Sequence, residues 1–286
     1  MSFQNVGVVG CGLMGSGIAE VVARSGCDVL VAEADDRALA AGADRIERSL
    51  GQAVKRGKLD EAEAGAVQGR IRFVPDVGEF ADRDLVVEAV SEDEDVKLSV
   101  FRALDAVVAS ADAVLASNTS SIPIMKLAMA TSRPDHVVGL HFFNPVPVLA
   151  LVEVVPSLLT SEETADAVDA FAHDALGKNV IRSQDRAGFI VNALLIPYIL
   201  SAIRMLESGF ASAEDIDMGM VQGCAHPMGP LALADLIGLD TVAAIAVSLY
   251  EEFKEPLYSA PPLLSRMVDA GLLGRKSGRG FSTYER

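Results

Sequence analysis

Short apolar runs alternate with longer amphipathic stretches through the first half of the chain. "VGVVG" at 6–10, "DVLVAE" at 28–33, "IRFV" at 71–74, "DLVVEAV" at 84–90, "AVLASN" at 113–118 and "VVGLHFF" at 137–143 are rich in Val, Leu and Ile. Near-continuous runs of this kind, separated by helical patterns, predict parallel strands covered on both faces, the doubly wound α/β arrangement. Between the second and third runs, "RALAAGADRIERSLGQAVKRGKLDEAEAGAVQGR" has helical period, is longer than a crossover helix requires and is interrupted by basic residues. It reads as a helical insertion.

Past residue 183 the β-runs stop, and helical periodicity continues through "AGFIVNALLIPYILSAIRMLESG", "SAEDIDMGMVQG", "LALADLIGLDTVAAIAVSLYEEF" and "PPLLSRMVDAGL". The pattern predicts two domains, 1–183 and 184–286, with "SQDRAG" at 183–188 as the hinge. The second domain is expected to be all-helical. Ser212 three residues before Asp215 predicts a helix N-cap, and Gly209 predicts a C-terminal stop. Helices this apolar in a small domain are expected to bury a face against a second subunit, so a homodimer through the C-terminal domain is expected. The longest apolar segment, "GFIVNALLIPYILSAI", carries Asn192 and Pro197 and falls short of the roughly 20 apolar residues of a membrane span.

Composition narrows the function. The chain has 286 residues, 50% hydrophobic and 22% charged, inside the globular range, and a formal net charge of −16. That charge argues against nonspecific binding to nucleic acid or an anionic membrane, which needs a cationic face. An anionic ligand must find a local basic patch. Cys11, Cys27 and Cys224 show no metal-ligand spacing, so no zinc site or disulfide framework is expected, and all three read as buried small residues. "MSFQNVGVVG" runs directly into a predicted strand with no leader pattern, and the expected location is cytoplasmic.

The first candidate chemistry is "GVVGCGLMGSGIAEVVARSGCDVLVAE". Gly10, Gly12 and Gly15 stand in GxGxxG spacing after a strand and at the start of a helix, with Cys11, Leu13 and Met14 between them. Such a turn lets backbone approach a pyrophosphate and places it on a helix N-terminus. Glu33, at the end of the next strand, is positioned to accept hydrogen bonds from the adenosine ribose and to repel a 2′-phosphate, which predicts NAD rather than NADP. Asp35 and Asp36 add to that repulsion. The fold class is therefore a Rossmann-type doubly wound α/β domain followed by an all-helical domain.

The second is "GLHFFNPVPVLALVEVV", residues 139–155. His141 and Glu153 lie in an apolar setting where a polar group without a partner costs roughly 2–7 kcal/mol. "HFF" ends one strand, "NPVPV" turns and "LVEVV" returns as another strand, which would set Glu153 behind His141.

The opening glycine segment, "DLVVEAVSEDEDVK", "ASNTSSIPI", "GLHFFNPVPVLALVEVV", "DRAGFIVNALL" and "GRKSGRGF" together resemble the short-chain (S)-3-hydroxyacyl-CoA dehydrogenases, above all the bacterial 3-hydroxybutyryl-CoA dehydrogenases, in the family's order along the whole chain. The resemblance implies NAD-dependent, reversible oxidation of a short-chain 3-hydroxyacyl-CoA. It implies His141 as base, oriented by Glu153, with Ser120 near the reacting oxygen and Asn144 and Asn192 placing substrate and cofactor. It assigns Glu92 and Lys97 to the nicotinamide ribose side, Lys276 to the cofactor from the C-terminus, and Ser49 and Arg56 to coenzyme A. Arg45, Arg48, Lys55 and Lys58 surround Arg56 in the insertion and supply a basic cluster. Two rivals share these features. One is a dehydrogenase of a small hydroxy acid without CoA, of the gulonate type; the other is a catalytically silent NAD-binding structural protein. The Arg56 cluster speaks against the first, the complete His141–Glu153 pair against the second.

Overall fold

The computed structural model describes residues 3–284. The chain divides into two compact units after Asp185.

The first unit is built on one eight-stranded sheet. Its strands are β1 (Asn5–Val9), β2 (Asp28–Ala32), β3 (Ile71–Val74), β4 (Leu85–Glu88), β5 (Val114–Ser117), β6 (Val137–Phe142), β7 (Leu151–Pro156) and β8 (Asn179–Arg182). They run in the order β3-β2-β1-β4-β5-β6-β7-β8, with every pairing parallel except β6 with β7. The order reverses between β1 and β4, which opens a crevice at their carboxyl ends where such sheets bind ligands.

The predicted first six strands and the return strand "LVEVV" are all present. The unpredicted strand is β8, four residues at the sheet edge whose outer two, Asn179 and Arg182, are exposed. A run so short and so polar carries no strand period. The Val/Leu/Ile positions split between two faces. Val6, Val8, Val29, Val31, Val87 and Val154 pack with α1 (Leu13–Arg24), α3 (Glu61–Gly69) and α6 (Glu162–Ala170). Phe101 and Leu104 of α4 (Glu94–Val107) and Ile124 and Leu127 of α5 (Ile124–Ala128) are fully buried. The insertion is α2 (Asp36–Lys55) followed by α3, and Asp35 caps α2 by accepting from the Ala38 amide.

The second unit is helical: α7 (Val191–Glu207), α8 (Ala213–Cys224), α9 (Pro230–Ile237), α10 (Leu239–Phe253) and α11 (Pro262–Asp269), around a core that includes Ile199, Leu200, Val242 and Leu264. Ser212 accepts from the Asp215 amide at 3.1 Å and caps α8, and Gly209 follows α7 at φ 69°, both as the sequence predicts. α7 runs through Pro197, as the helical pattern of that stretch predicts, and is held by buried Ile196, Ile199 and Leu200. The run 231–253 is two helices bent by 97° at Gly238. Among the described residues no single helix is long and apolar enough to cross a membrane.

Cys11 and Cys27 are buried as expected, whereas Cys224 is exposed, because the last turn of α8 faces outward. Burial, helped by the nearby Glu33 carboxylate, pushes the Cys11 thiol up to about 12, so it stays a neutral packing group at physiological pH.

Candidate active site

The glycine turn leaves β1 and opens α1 at the crevice. Gly10 has φ 90°, and a Cβ there would stand 2.7 Å from the carbonyl oxygen of Ala89; at Gly15 a Cβ would meet the Gly10 oxygen at 1.8 Å. Only glycine permits both approaches. Gly12 precedes the first turn of α1, which has no side-chain cap and no acidic residue, and a Cβ on Gly12 would meet nothing within 4 Å. The free amides and the open approach fit a dinucleotide pyrophosphate. Beside Gly12, Leu13 is 63% exposed and Met14 half-buried, while Cys11 is fully buried and offers only its backbone.

Glu33 reaches back over this turn. Its Oε1 accepts from the Cys11 amide at 2.5 Å and its Oε2 from the Ala34 amide at 3.0 Å. Its carboxylate thus stands at the end of β2, beside the turn. Arg45 does not join the basic cluster at the end of α2, because its guanidinium turns inward and donates to the Cys11 carbonyl at 3.0 Å. Ser49 is half-buried on α2, and the exposed Arg56 lies just past that helix, roughly two turns further on along one face.

The 139–155 run folds as its polar residues demand. β6 and β7 pair antiparallel with His141 opposite Glu153, and Nδ1 of the imidazole lies 2.7 Å from Oε2 of the carboxylate. His141 is 6% exposed and Glu153 fully buried, so their hydrogen bond lies away from competing water. A carboxylate on Nδ1 selects the tautomer with the proton on that nitrogen and leaves Nε2 as the basic one. Asn144, exposed, follows on the turn between the strands.

Ser120 sits on the loop after β5, the strand beside β6. This loop is organised by Glu92, whose Oε1 accepts from the Thr119 hydroxyl, from the Ser120 and Ser121 amides at 3.0 and 3.1 Å, and from the Ser121 hydroxyl at 2.8 Å. Burial pushes the Glu92 carboxyl up, but the Lys97 ammonium and the donors of Thr119, Ser121 and Ser120 together outweigh it and hold it below the usual carboxylate range. Lys97 itself is 1% exposed, bonding Glu88 at 2.6 Å and Glu92 at 3.3 Å.

Asn192 and Lys276 belong to the second unit. Asn192 is buried in the first turn of α7. Lys276 is exposed on the C-terminal segment and pairs with Asp240 at 2.5 Å. That segment is anchored by buried Asp235, which accepts from the Phe281 and Ser282 amides and the Tyr284 hydroxyl at 2.9–3.0 Å.

Several residues that hold the site escaped the sequence reading. The Asn118 side-chain oxygen accepts from the Phe142 amide at 2.9 Å, tying the Ser120 loop to the strand that carries His141. Asp185 accepts from the Ile124 and Met125 amides, both at 2.7 Å, and fixes the start of α5 just beyond that loop. Buried Lys178 donates to the carbonyls of Val146 at 2.6 Å and Leu149 at 2.7 Å, pinning the turn after Asn144. Their partners lie too far away in sequence for any spacing to mark them. Among the described residues no group of His, Cys, Asp or Glu could hold a metal.

Known proteins resolve which family this arrangement serves. Residues 5–186 match the family model for the 3-hydroxyacyl-CoA dehydrogenase NAD binding domain, and residues 188–284 match the model for that enzyme's C-terminal domain. The chain belongs to the 3-hydroxyacyl-CoA dehydrogenase family. It is an NAD-dependent oxidoreductase of that family, and its first unit is the NAD-binding domain. A 3-hydroxybutyryl-CoA dehydrogenase of Mycobacterium tuberculosis is 59% identical over 283 residues, 99% of each chain. The human mitochondrial hydroxyacyl-coenzyme A dehydrogenase is 41% identical over 99% of this chain and 91% of its own. Among solved structures, FadB2 of M. tuberculosis superposes with a TM-score of 0.98 at 58% identity over the whole of both chains. The (S)-3-hydroxybutyryl-CoA dehydrogenase PaaH1 of Ralstonia eutropha gives 0.94 at 44% identity, again over both chains entire.

Proposed function

We propose that this chain interconverts short-chain (S)-3-hydroxyacyl-CoA, with 3-hydroxybutyryl-CoA as the preferred member, and the corresponding 3-ketoacyl-CoA. The buried His141–Glu153 pair in a chain of this family carries the reading. When bound, NAD accepts the hydride that leaves the alcohol carbon.

His141 takes the hydroxyl proton on Nε2, since Nδ1 is committed to Glu153. Glu153 stabilises the imidazolium that forms, and in the reverse direction the same proton returns to the ketone oxygen. Ser120 donates to the reacting oxygen. Asn144 and Asn192 place the thioester and the cofactor, Glu33, Glu92 and Lys276 bind cofactor groups, and Ser49 and Arg56 take the coenzyme A end. A guanidinium at 56 matches a phosphate in a two-pronged contact. The protein acts in the cytoplasm as a homodimer through its helical unit, where Leu194, Phe210 and Met218 expose apolar surface.

The test follows NADH formation from (S)-3-hydroxybutyryl-CoA, its (R) enantiomer and free 3-hydroxybutyrate, with NAD and with NADP. Turnover of the (S) thioester with NAD is expected. The reading fails if only the free acid reacts, or if NADH binds tightly and nothing is oxidised.

A further inference from the structure

Lys97, which the resemblance assigns to the nicotinamide ribose side, is 1% exposed and makes with Glu88 a buried ion pair that the chemistry above does not use. Glu88 ends β4 with no exposed surface and accepts from the Lys97 ammonium at 2.6 Å, the Ser117 hydroxyl at 2.6 Å and the Val90 amide at 2.7 Å. Removing two charges from water offsets most of what their attraction returns, so such a pair contributes little net stability by itself. What it does supply is a cation at a fixed place. The same ammonium lies 3.3 Å from Glu92, and Glu92 receives four donors from residues 119–121.

We propose that Glu88, Lys97 and Glu92 form a positioning relay for Ser120: Glu88 fixes the ammonium, the ammonium keeps Glu92 an anion, and the anion gathers the loop. This rests on the catalytic reading of Ser120 for its consequence, though not for its mechanism. Lys97 is then a positioning residue that acts through Glu92. A neutral Glu92 would present a hydroxyl where the loop needs acceptors, and its hydrogen bonds would lose their charge assistance. Of the three acids that follow Glu92 in the chain, two are engaged elsewhere. Asp93 accepts from the Val96 amide at the start of α4, and Glu94 pairs with Lys126 of α5 at 2.7 Å. Asp95 lies exposed on the first turn of α4.

The relay makes an unusual prediction about a double variant. Lys97→Met takes away the cation that favours the Glu92 anion and leaves the Glu88 carboxylate on the other side of the lost ammonium, so the ionised form of Glu92 is disfavoured. Amide exchange in the segment 117–124 of the cofactor-free protein should then quicken by about tenfold or more at pH 6, and less at pH 8. The acidic limb of the kcat profile, which His141 as base already gives the parent protein, should move to higher pH. Adding Glu88→Gln to Lys97→Met removes the competing carboxylate, so exchange should return to within about threefold of the parent and the limb should recede. If Lys97 matters only by touching the cofactor, the double variant will be no better than Lys97→Met, and the relay is wrong. Glu92→Gln keeps the ion pair and removes only the anion; unchanged protection at 117–124 in that variant overturns the proposal even if Lys97→Met does not fold. Exchange in the cofactor-free protein is independent of turnover. A wrong assignment of Ser120 would therefore leave the exchange results standing and alter only the kcat profile.

Discussion

His141 stands on β6 inside a closed antiparallel ladder, whereas Ser120 stands on a loop gathered by the carboxylate of Glu92. The two reach the same end of the sheet, since β5 and β6 run parallel and both side chains lie at or beyond their carboxyl ends. The ladder fixes the histidine by backbone register, with Glu153 set opposite by the same count. No ionisation is needed to hold that backbone. The loop has no strand partner of its own at residues 119–121; neutral bonds from the Ser121 and Ile122 amides to the Thr119 hydroxyl help to shape it, and four further donors converge on the Glu92 carboxylate. The geometry proposed for catalysis thus has one part held by backbone register and one part that the Glu92 charge helps to hold.

The largest expected effect tests the first part. His141→Ala should lower kcat by about 10²–10⁴, the usual share of a positioned general base. Glu153→Gln should approach the same loss, because an amide can donate to Nδ1 and so favour the unproductive tautomer. Backbone exchange in β6 and β7 should stay within a few-fold of the parent in Glu153→Gln. If the ladder opens as widely as the activity falls, register does not hold the pair and the contrast with the loop disappears.

Acid tests the second part. The Glu92 carboxyl titrates below its ordinary value of 4.5, so the fold favours its ionised form. Its contribution is complete above that ordinary value and is lost as the pH falls through the lowered one. Protection of the segment 117–124 should therefore be flat from pH 7 to about pH 5 and decline below, ahead of β6 and β7. Parallel decline in both segments would show that the loop has no charge dependence of its own.

The same division explains what the sequence reveals. Strands buried on both faces announce themselves as runs of Val, Leu and Ile, and the glycine turn is marked by residues with no substitute at Gly10 and Gly15. His141 and Glu153 stand out because polar groups in an apolar run require an explanation. Glu88 stands in the same kind of setting, inside "DLVVEAV", yet its partner Lys97 sits on the next helix, where a lysine is ordinary. Asn118 and Asp185 are harder still, as each acts on a backbone amide, and any residue supplies one. β8 stayed hidden because its place depends on β7 and not on a pattern of its own. Gly238 bends the helical run at a position where the flanking residues are as apolar on one side as on the other.

The smallest expected effect lies at the far end of the Ser120 loop. Asp185 accepts from the first two amides of α5, a five-residue helix that has no cap from its own preceding residue, Pro123. In Asp185→Asn one oxygen acceptor becomes an amino group that faces an N–H, so one charge-assisted bond is lost and the other weakened. The cost should be that of a helix cap, about 1 kcal/mol, read as roughly fivefold faster exchange at Ile124 and Met125. Protection at Thr119–Ser121 should hold, because Glu92 grips that part of the loop independently. Equal loosening at 119–121 and 124–125 would mean that the two carboxylates hold one rigid piece, and the loop would then resemble the ladder more closely than its hydrogen bonds indicate.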